Sequence, residues 1–158
     1  MTVMGNTHLL RVTKPEMLEN IVSTRNHKTL YEALKNIAFD YTSLYKYLIS
    51  EFTIDSAQAG RSRSELLSEL MEVSESTFYR WKTSKKRVDV KYAGRLSELM
   101  GLNVYGKEVL GSKTAFFNWL VASNIHLEGK APIDILDNLP GIQYVKHLLD
   151  KIEYGAPV

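Results

Sequence analysis

The stretch from Val73 to Val88, VSESTFYRWKTSKKRV, gathers side chains suited to holding a polyanion. Ser74, Ser76 and Thr77 offer hydroxyls, Tyr79 offers a phenol, and Arg80, Lys82, Lys85, Lys86 and Arg87 supply cations. Hydroxyls bond base edges or phosphates, and the Arg80 guanidinium has the fork geometry for a guanine or a phosphate. Lys85, Lys86 and Arg87 suit phosphate contacts, which carry affinity rather than sequence information. Glu75 works against phosphate approach unless it accepts from a cytosine amine. Across residues 79–95 seven cations face a single anion, Asp89, for a net of +6, while the rest of the chain sums to −4. A local cationic block on a nearly neutral protein favours a polyanionic partner more than overall basicity does, although such a run is also compatible with a solvated helix end.

Other chemistries find no set of residues to carry them. His8, His27, His126 and His147 have no metal-ligand spacing, and His126 with Glu128 is too ordinary a pair to form a site. There is no glycine-rich phosphate loop, no serine in a nucleophile elbow, and no cysteine for a thiolate or a disulfide. We therefore expect no catalysis, no metal and no cofactor. The chain has 158 residues, 44% of them hydrophobic, enough for one ordinary domain or two small ones with a sizeable core. No apolar run reaches about 18 residues, and the N-terminus lacks the layout of a signal peptide, so a soluble cytoplasmic protein is expected, with no membrane partner.

The elements that must position the basic stretch are helical. Leu66, Leu67, Leu70 and Met71 fall at helical spacing, and Val73-Ser74 makes a tight turn. Ser74 then caps a second short helix that turns Phe78 and Trp81 inward. Two short helices joined by a tight turn, the second ending in cations, is the helix-turn-helix layout, in which the second helix meets the major groove. One departure weakens the motif: the turn position usually given to glycine is Glu72, which takes a left-handed conformation only at some cost, so a different turn geometry is open here. Upstream, Thr13-Lys14-Pro15-Glu16 and Thr29-Leu30-Tyr31-Glu32 fit the capping-box pattern, predicting two N-terminal helices. In the second, Leu30, Leu34, Ile37, Tyr41, Leu44 and Leu48 are spaced to line one helix face, which must bury in the bundle core or form a dimer seam. A connection is expected between Glu51 and Arg63, and no useful period-2 run predicts a sheet.

Downstream, Lys113 to Ala122 reads as an amphipathic helix anchored by Phe116, Phe117, Trp119 and Leu120, with Trp119 expected in the core. Gly129 and Pro132 punctuate a loop before a short helical turn, Ile133 to Leu136. Asn138 can cap a last helix that carries Pro140 in its first turn and buries Ile142, Val145, Leu148, Leu149 and Ile152 before Gly155 ends it.

Residues 110–155 closely resemble the C-terminal domain of the ParS/Xre-type antitoxins, which neutralise RES-domain toxins in bacterial type II toxin-antitoxin pairs. The resemblance is carried by Trp119-Leu120, by Asn124, Leu127, Gly129, Pro132 and Leu136 in order, by Gly141, and by the closing Ile152-Glu153-Tyr154-Gly155. That family places an Xre-like helix-turn-helix immediately upstream, where Leu66 to Arg87 lies, and Arg95-Leu96 falls where it usually has an Arg-Leu pair. The likeness covers roughly residues 60–158; residues 1–58 match no motif. Together with the helical periodicity and capping signals upstream, it gives an all-α fold, a helical bundle with an N-terminal helical segment (1–58, a candidate for dimerisation), an Xre-like helix-turn-helix (59–110) and a small helical toxin-binding domain (111–158). The resemblance also implies two partners, a cognate RES-domain toxin and operator DNA; the Leu30 to Leu48 stripe and the two-fold operators that helix-turn-helix units usually read point to a homodimer or higher oligomer. RES-type toxins resemble NAD-consuming ADP-ribosyltransferases, so the implied mechanism is occlusion of an NAD pocket. The residues implied to meet the toxin are Asn124, Leu127, Gly129, Glu153, Tyr154, Gly155, Ala156, Pro157 and Val158; the last three read equally well as a frayed end. A stand-alone helix-turn-helix regulator whose C-terminal domain only oligomerises is the alternative.

Overall fold

The protein is described here by a computed structural model, which covers residues 11–24, 32–52 and 60–155. Seven α-helices order the described chain: α1 Pro15–Thr24, α2 Tyr41–Glu51, α3 Arg63–Leu70, α4 Glu75–Trp81, α5 Ala93–Leu110, α6 Lys113–Val121 and α7 Leu139–Glu153. Residues 32–35 form one further helical turn. Short 3-10 helices fill Val90–Tyr92, Ile125–Leu127 and Pro132–Ile135. The fold is all-α, as the periodicity predicts, and its only β pairing among the described residues is two isolated bridges, Val12 with Ile37 and Asp40 with Arg87.

Helix starts are written in the sequence as short polar residues. Asp40, Ser62, Ser74, Ser112 and Asn138 each accept, through the side chain, the amide three residues on, at the heads of α2, α3, α4, α6 and α7. Each removes one orphan donor from a helix N-terminus, and loss of such a cap costs about 0.5–2 kcal/mol. The Ser43 amide and hydroxyl, both donating to Asp40, hold its carboxyl below the usual carboxylate range. At its C-terminus α5 stops at Gly111, whose φ of 91° is the left-handed conformation that favours glycine.

The long helix α5 is the hub, packed against α1, α6 and α7. Leu96, Leu99, Met100 and Leu102 are fully buried along it and join one continuous core running from Val12 and Leu18 to Leu149. Gly106 allows α6 to approach closely, since a Cβ there would sit 2.2 Å from the Phe116 ring. A partly buried polar network ties the N-terminal helices to this hub. The Tyr47 hydroxyl donates to Glu19 at 2.8 Å, Lys107 reaches Glu19 at 3.4 Å and Glu51 at 3.5 Å, and Lys113 reaches Glu51 at 3.2 Å.

Three sequence expectations are corrected. The stripe from Leu34 to Leu48 does not lie on one helix: residues 36–40 leave the helix, Ile37 pairs with Val12, and Asp40 starts α2 afresh. The spacing 3, 4, 3, 4 survives because the chain turns back into the same core, where Ile37, Leu44 and Leu48 are buried. Ile37, Leu44 and Leu48 are therefore core, while Leu34 and Tyr41 are partly buried. Thr13 does not cap Glu16; its hydroxyl and amide approach the Met17 sulfur at 3.3 and 3.4 Å, and the helix begins at Pro15. Trp119 is half-buried, its ring stacked against Phe116 at 6.4 Å, because Phe116, Phe117 and Leu120 already fill the inner face of α6. The capping box at Thr29-Leu30-Tyr31, together with Leu30, lies outside the described residues, as do Ala156, Pro157 and Val158.

Candidate functional site

Two surfaces gather the residues that the sequence singled out. The first is built on α3 and α4, two short helices joined through Met71–Ser74. Glu72 has a φ of 56°, so the left-handed turn is kept with a glutamate in the place of the usual glycine, and the turn geometry does not depart as the glutamate suggested. Its amide donates to the Glu69 carbonyl at 3.0 Å, and Val73 donates to Ser68 at 3.0 Å, which closes the end of α3. Phe78 and Trp81 are buried, in contact with each other and with Tyr45, Tyr41 and Tyr92 in one aromatic cluster. With those two rings inside, the opposite face of α4 is left to water. Tyr79 is 67% exposed, and Ser76, Arg80, Lys82, Lys85, Lys86 and Arg87 are exposed around it.

The hydroxyls are less free than their exposure suggests. Ser74 accepts from the Thr77 amide at 3.1 Å and donates to the Thr77 hydroxyl at 2.9 Å; Arg80 donates to the same hydroxyl at 3.1 Å. Ser74 and Thr77 thus set the helix start and aim Arg80, while the chemistry presented to a partner comes from Tyr79, Arg80 and the lysines. Among the described residues, Lys82, Lys85, Lys86 and Arg87 have no ion-pair partner. Arg95 leaves the block: it turns inward, donating Nε to the Leu70 carbonyl at 2.6 Å and a second nitrogen to the Leu136 carbonyl. Burial there lowers its pKa from the ordinary arginine value. Six of the seven cations therefore remain at the surface or in its fringe.

The second surface belongs to the C-terminal segment. Asn124 and Gly129 build the loop after α6 more than they present side chains to it. The Asn124 side chain accepts from His126 at 2.9 Å, its carbonyl accepts from Leu127 and Gly129, and its amide donates to Lys130 at 2.9 Å. Glu128 at φ 56° and Gly129 at φ 86° complete the reversal. Leu127 is half-buried beneath it, and what the loop lifts outward is Ile125, 83% exposed, with His126 and Glu128. Sequence reasoning passed over Ile125, although an isoleucine inside a polar loop is itself a signal.

At the chain's other singled-out point, Glu153, Tyr154 and Gly155 close α7. Tyr154 is 84% exposed, and its amide still bonds Asp150. The helix end is anchored from α5, where Tyr105 donates to Asp150 at 2.6 Å; burial pushes the Tyr105 phenol above its ordinary pKa. Leu139 and Tyr144, the latter beside His147, are further exposed apolar side chains on α7. The helix is seated by Gly141, where an added Cβ would fall 1.6 Å from the Ile135 carbonyl oxygen. Among the described residues, no group of three His, Cys, Asp or Glu could hold a metal ion, and no helix is long and apolar enough to cross a membrane.

An all-helical chain with an exposed cationic two-helix unit ahead of a compact helical segment is the class defined by this geometry. Residues 106–155 match the antitoxin Xre/MbcA/ParS C-terminal toxin-binding domain, which bears out the resemblance drawn from Trp119-Leu120 through Gly155. A chain from the crystal structure of the M. tuberculosis MbcT-MbcA toxin-antitoxin complex is similar at 21% identity and a TM-score of 0.49, over 74% of this chain and 96% of that one. No curated protein matches the chain.

Proposed function

We propose that this protein is the antitoxin of a bacterial type II toxin-antitoxin pair, which binds and blocks a RES-type, NAD-consuming toxin and binds DNA through its helix-turn-helix. The observation that carries the reading is the match of residues 106–155 to an antitoxin toxin-binding domain. In this reading residues 111–158 meet the toxin, residues 59–110 meet operator DNA, and residues 1–58 support them. The contact residues for the toxin are Asn124, Leu127 and Gly129 with Glu153, Tyr154 and Gly155; exposed Ile125 joins them as an apolar anchor beside the loop. The protein acts by occupying the toxin, not by catalysis, and needs no cofactor. The exposure of Tyr79, Arg80, Lys82, Lys85, Lys86 and Arg87 supports the DNA role. The same exposure favours the second reading, a DNA-binding regulator without a toxin. A dimer is the form in which such units usually read two-fold operators, in the cytoplasm.

Co-expression with a RES-domain toxin tests the first reading. Growth is expected to return when the antitoxin is present, and the two chains should purify together. Continued toxicity with both chains soluble and separate would favour the regulator.

A further inference from the structure

The loop from Lys82 to Val88 carries Lys82, Lys85, Lys86 and Arg87 on a backbone that leaves α4 at buried Trp81 and re-enters the core at buried Val88. Four like charges on one short loop repel one another, so its conformation needs an outside hold. That hold comes from four consecutive residues, Phe39 to Thr42, far away in the chain. The Val88 amide donates to the Phe39 carbonyl at 3.1 Å, and the Tyr41 amide donates to the Lys86 carbonyl at 3.0 Å. Ser84's carbonyl accepts from both the Thr42 amide at 3.1 Å and the Thr42 hydroxyl at 2.9 Å. Asp89 donates its amide to the Tyr41 hydroxyl at 3.0 Å, and the Tyr41 ring stacks on Trp81 with centroids 5.0 Å apart. Between these bonds Asp40 and Arg87 form an antiparallel bridge.

We infer that Phe39, Asp40, Tyr41 and Thr42 are a positioning clamp for the basic loop, ordering its backbone before phosphates arrive. The inference rests on the DNA reading above and adds to it a task for the N-terminal segment. Every hydrogen bond of the clamp goes to backbone between Ser84 and Asp89, so none of them engages the four cationic side chains. An interface whose loop is already ordered loses less conformational freedom on binding, and its affinity gains by that difference. The clamp residues need not touch DNA. Their effect appears in affinity without appearing in the number of phosphates contacted.

The test uses the full chain and a fluorescent, mixed-sequence DNA duplex, whose binding rests on phosphate contacts alone, followed by anisotropy over a salt series. Tyr41→Phe with Thr42→Val removes both side-chain bonds while keeping the ring stack and the β-branched shape. It is expected to bind roughly threefold to tenfold more weakly at an unchanged salt slope, with faster amide exchange at Asp89. Thr42→Ser, which keeps the hydroxyl, should restore most of the affinity that Thr42→Val removes, and Tyr41→Phe alone should show part of the loss if the double variant folds poorly. Wild-type affinity in the folded variants would overturn the clamp. In the same series Lys85→Ala with Lys86→Ala should lower the log-log slope by up to about two, at about 0.9 per phosphate contact. A wild type without salt-dependent binding, or an unchanged slope in that pair, would overturn the DNA reading itself and the clamp with it.

Discussion

At the scale of single residues, Arg95 shows how position changes the meaning of a charge. It sits in the cationic run, yet its guanidinium bridges two main-chain carbonyls, Leu70 at the end of α3 and Leu136 ahead of α7. It therefore fastens the two-helix unit to the C-terminal segment. Arg95→Met keeps the aliphatic packing but strands two carbonyls, and should lower unfolding free energy by about 1–3 kcal/mol in a denaturant titration. Its DNA salt slope should stay at the wild-type value, in contrast to the lysine pair. Nothing in the local sequence separates Arg95 from Lys91 or Arg87. The partners lie 25 and 41 residues away, and only the family's Arg-Leu pair hinted that this position is special.

At the scale of elements, the seating of α7 depends on one close approach. A methyl at Gly141 would meet the main-chain oxygen of Ile135 at 1.6 Å, and a backbone atom cannot rotate aside. Gly141→Ala should thus destabilise by about 3 kcal/mol, the upper end for overpacking, whereas Gly94→Ala in α5, with open space around it, should stabilise by up to about 1 kcal/mol. Thermal midpoints of the two variants, moving in opposite directions, check this. The caps, the two-helix unit and the order of elements beyond residue 60 were legible because each rests on signals within a few residues, such as Ser74 before Glu75 or Asn138 before Pro140. The break at residues 36–40 was not, because periodicity records which side chains face the core and is blind to a strand-like step that keeps them facing it. The loop at Asn124 was legible as a motif, but its geometry was not: Asn124 and Gly129 shape the turn, and Ile125 is the side chain it exposes.

At the scale of the whole molecule, α5 and the core around it join the N-terminal segment, the basic unit and the toxin-binding match into one packed body. Ile37 and Leu44, buried within the chain, make the N-terminal segment part of that body. Ile37→Glu should therefore lose helical signal and unfold early, at a cost of roughly 3 kcal/mol or more, because the charge would be buried without a partner. A folded, lower-order species in sedimentation would instead place Ile37 at a subunit contact. The clamp on residues 82–88 follows from the same architecture, and contacts spanning more than forty residues leave no mark in a local reading.

The central claim is that this chain silences a toxin by binding it. The most direct measurement is NAD consumption by a purified RES-domain toxin, the partner proposed above, as this protein is titrated in. The account expects consumption to fall to background as the protein is added, with Ile125→Asp needing a clear excess over wild type and Arg80→Ala behaving as wild type. Undiminished NAD consumption in the presence of excess folded protein would contradict it.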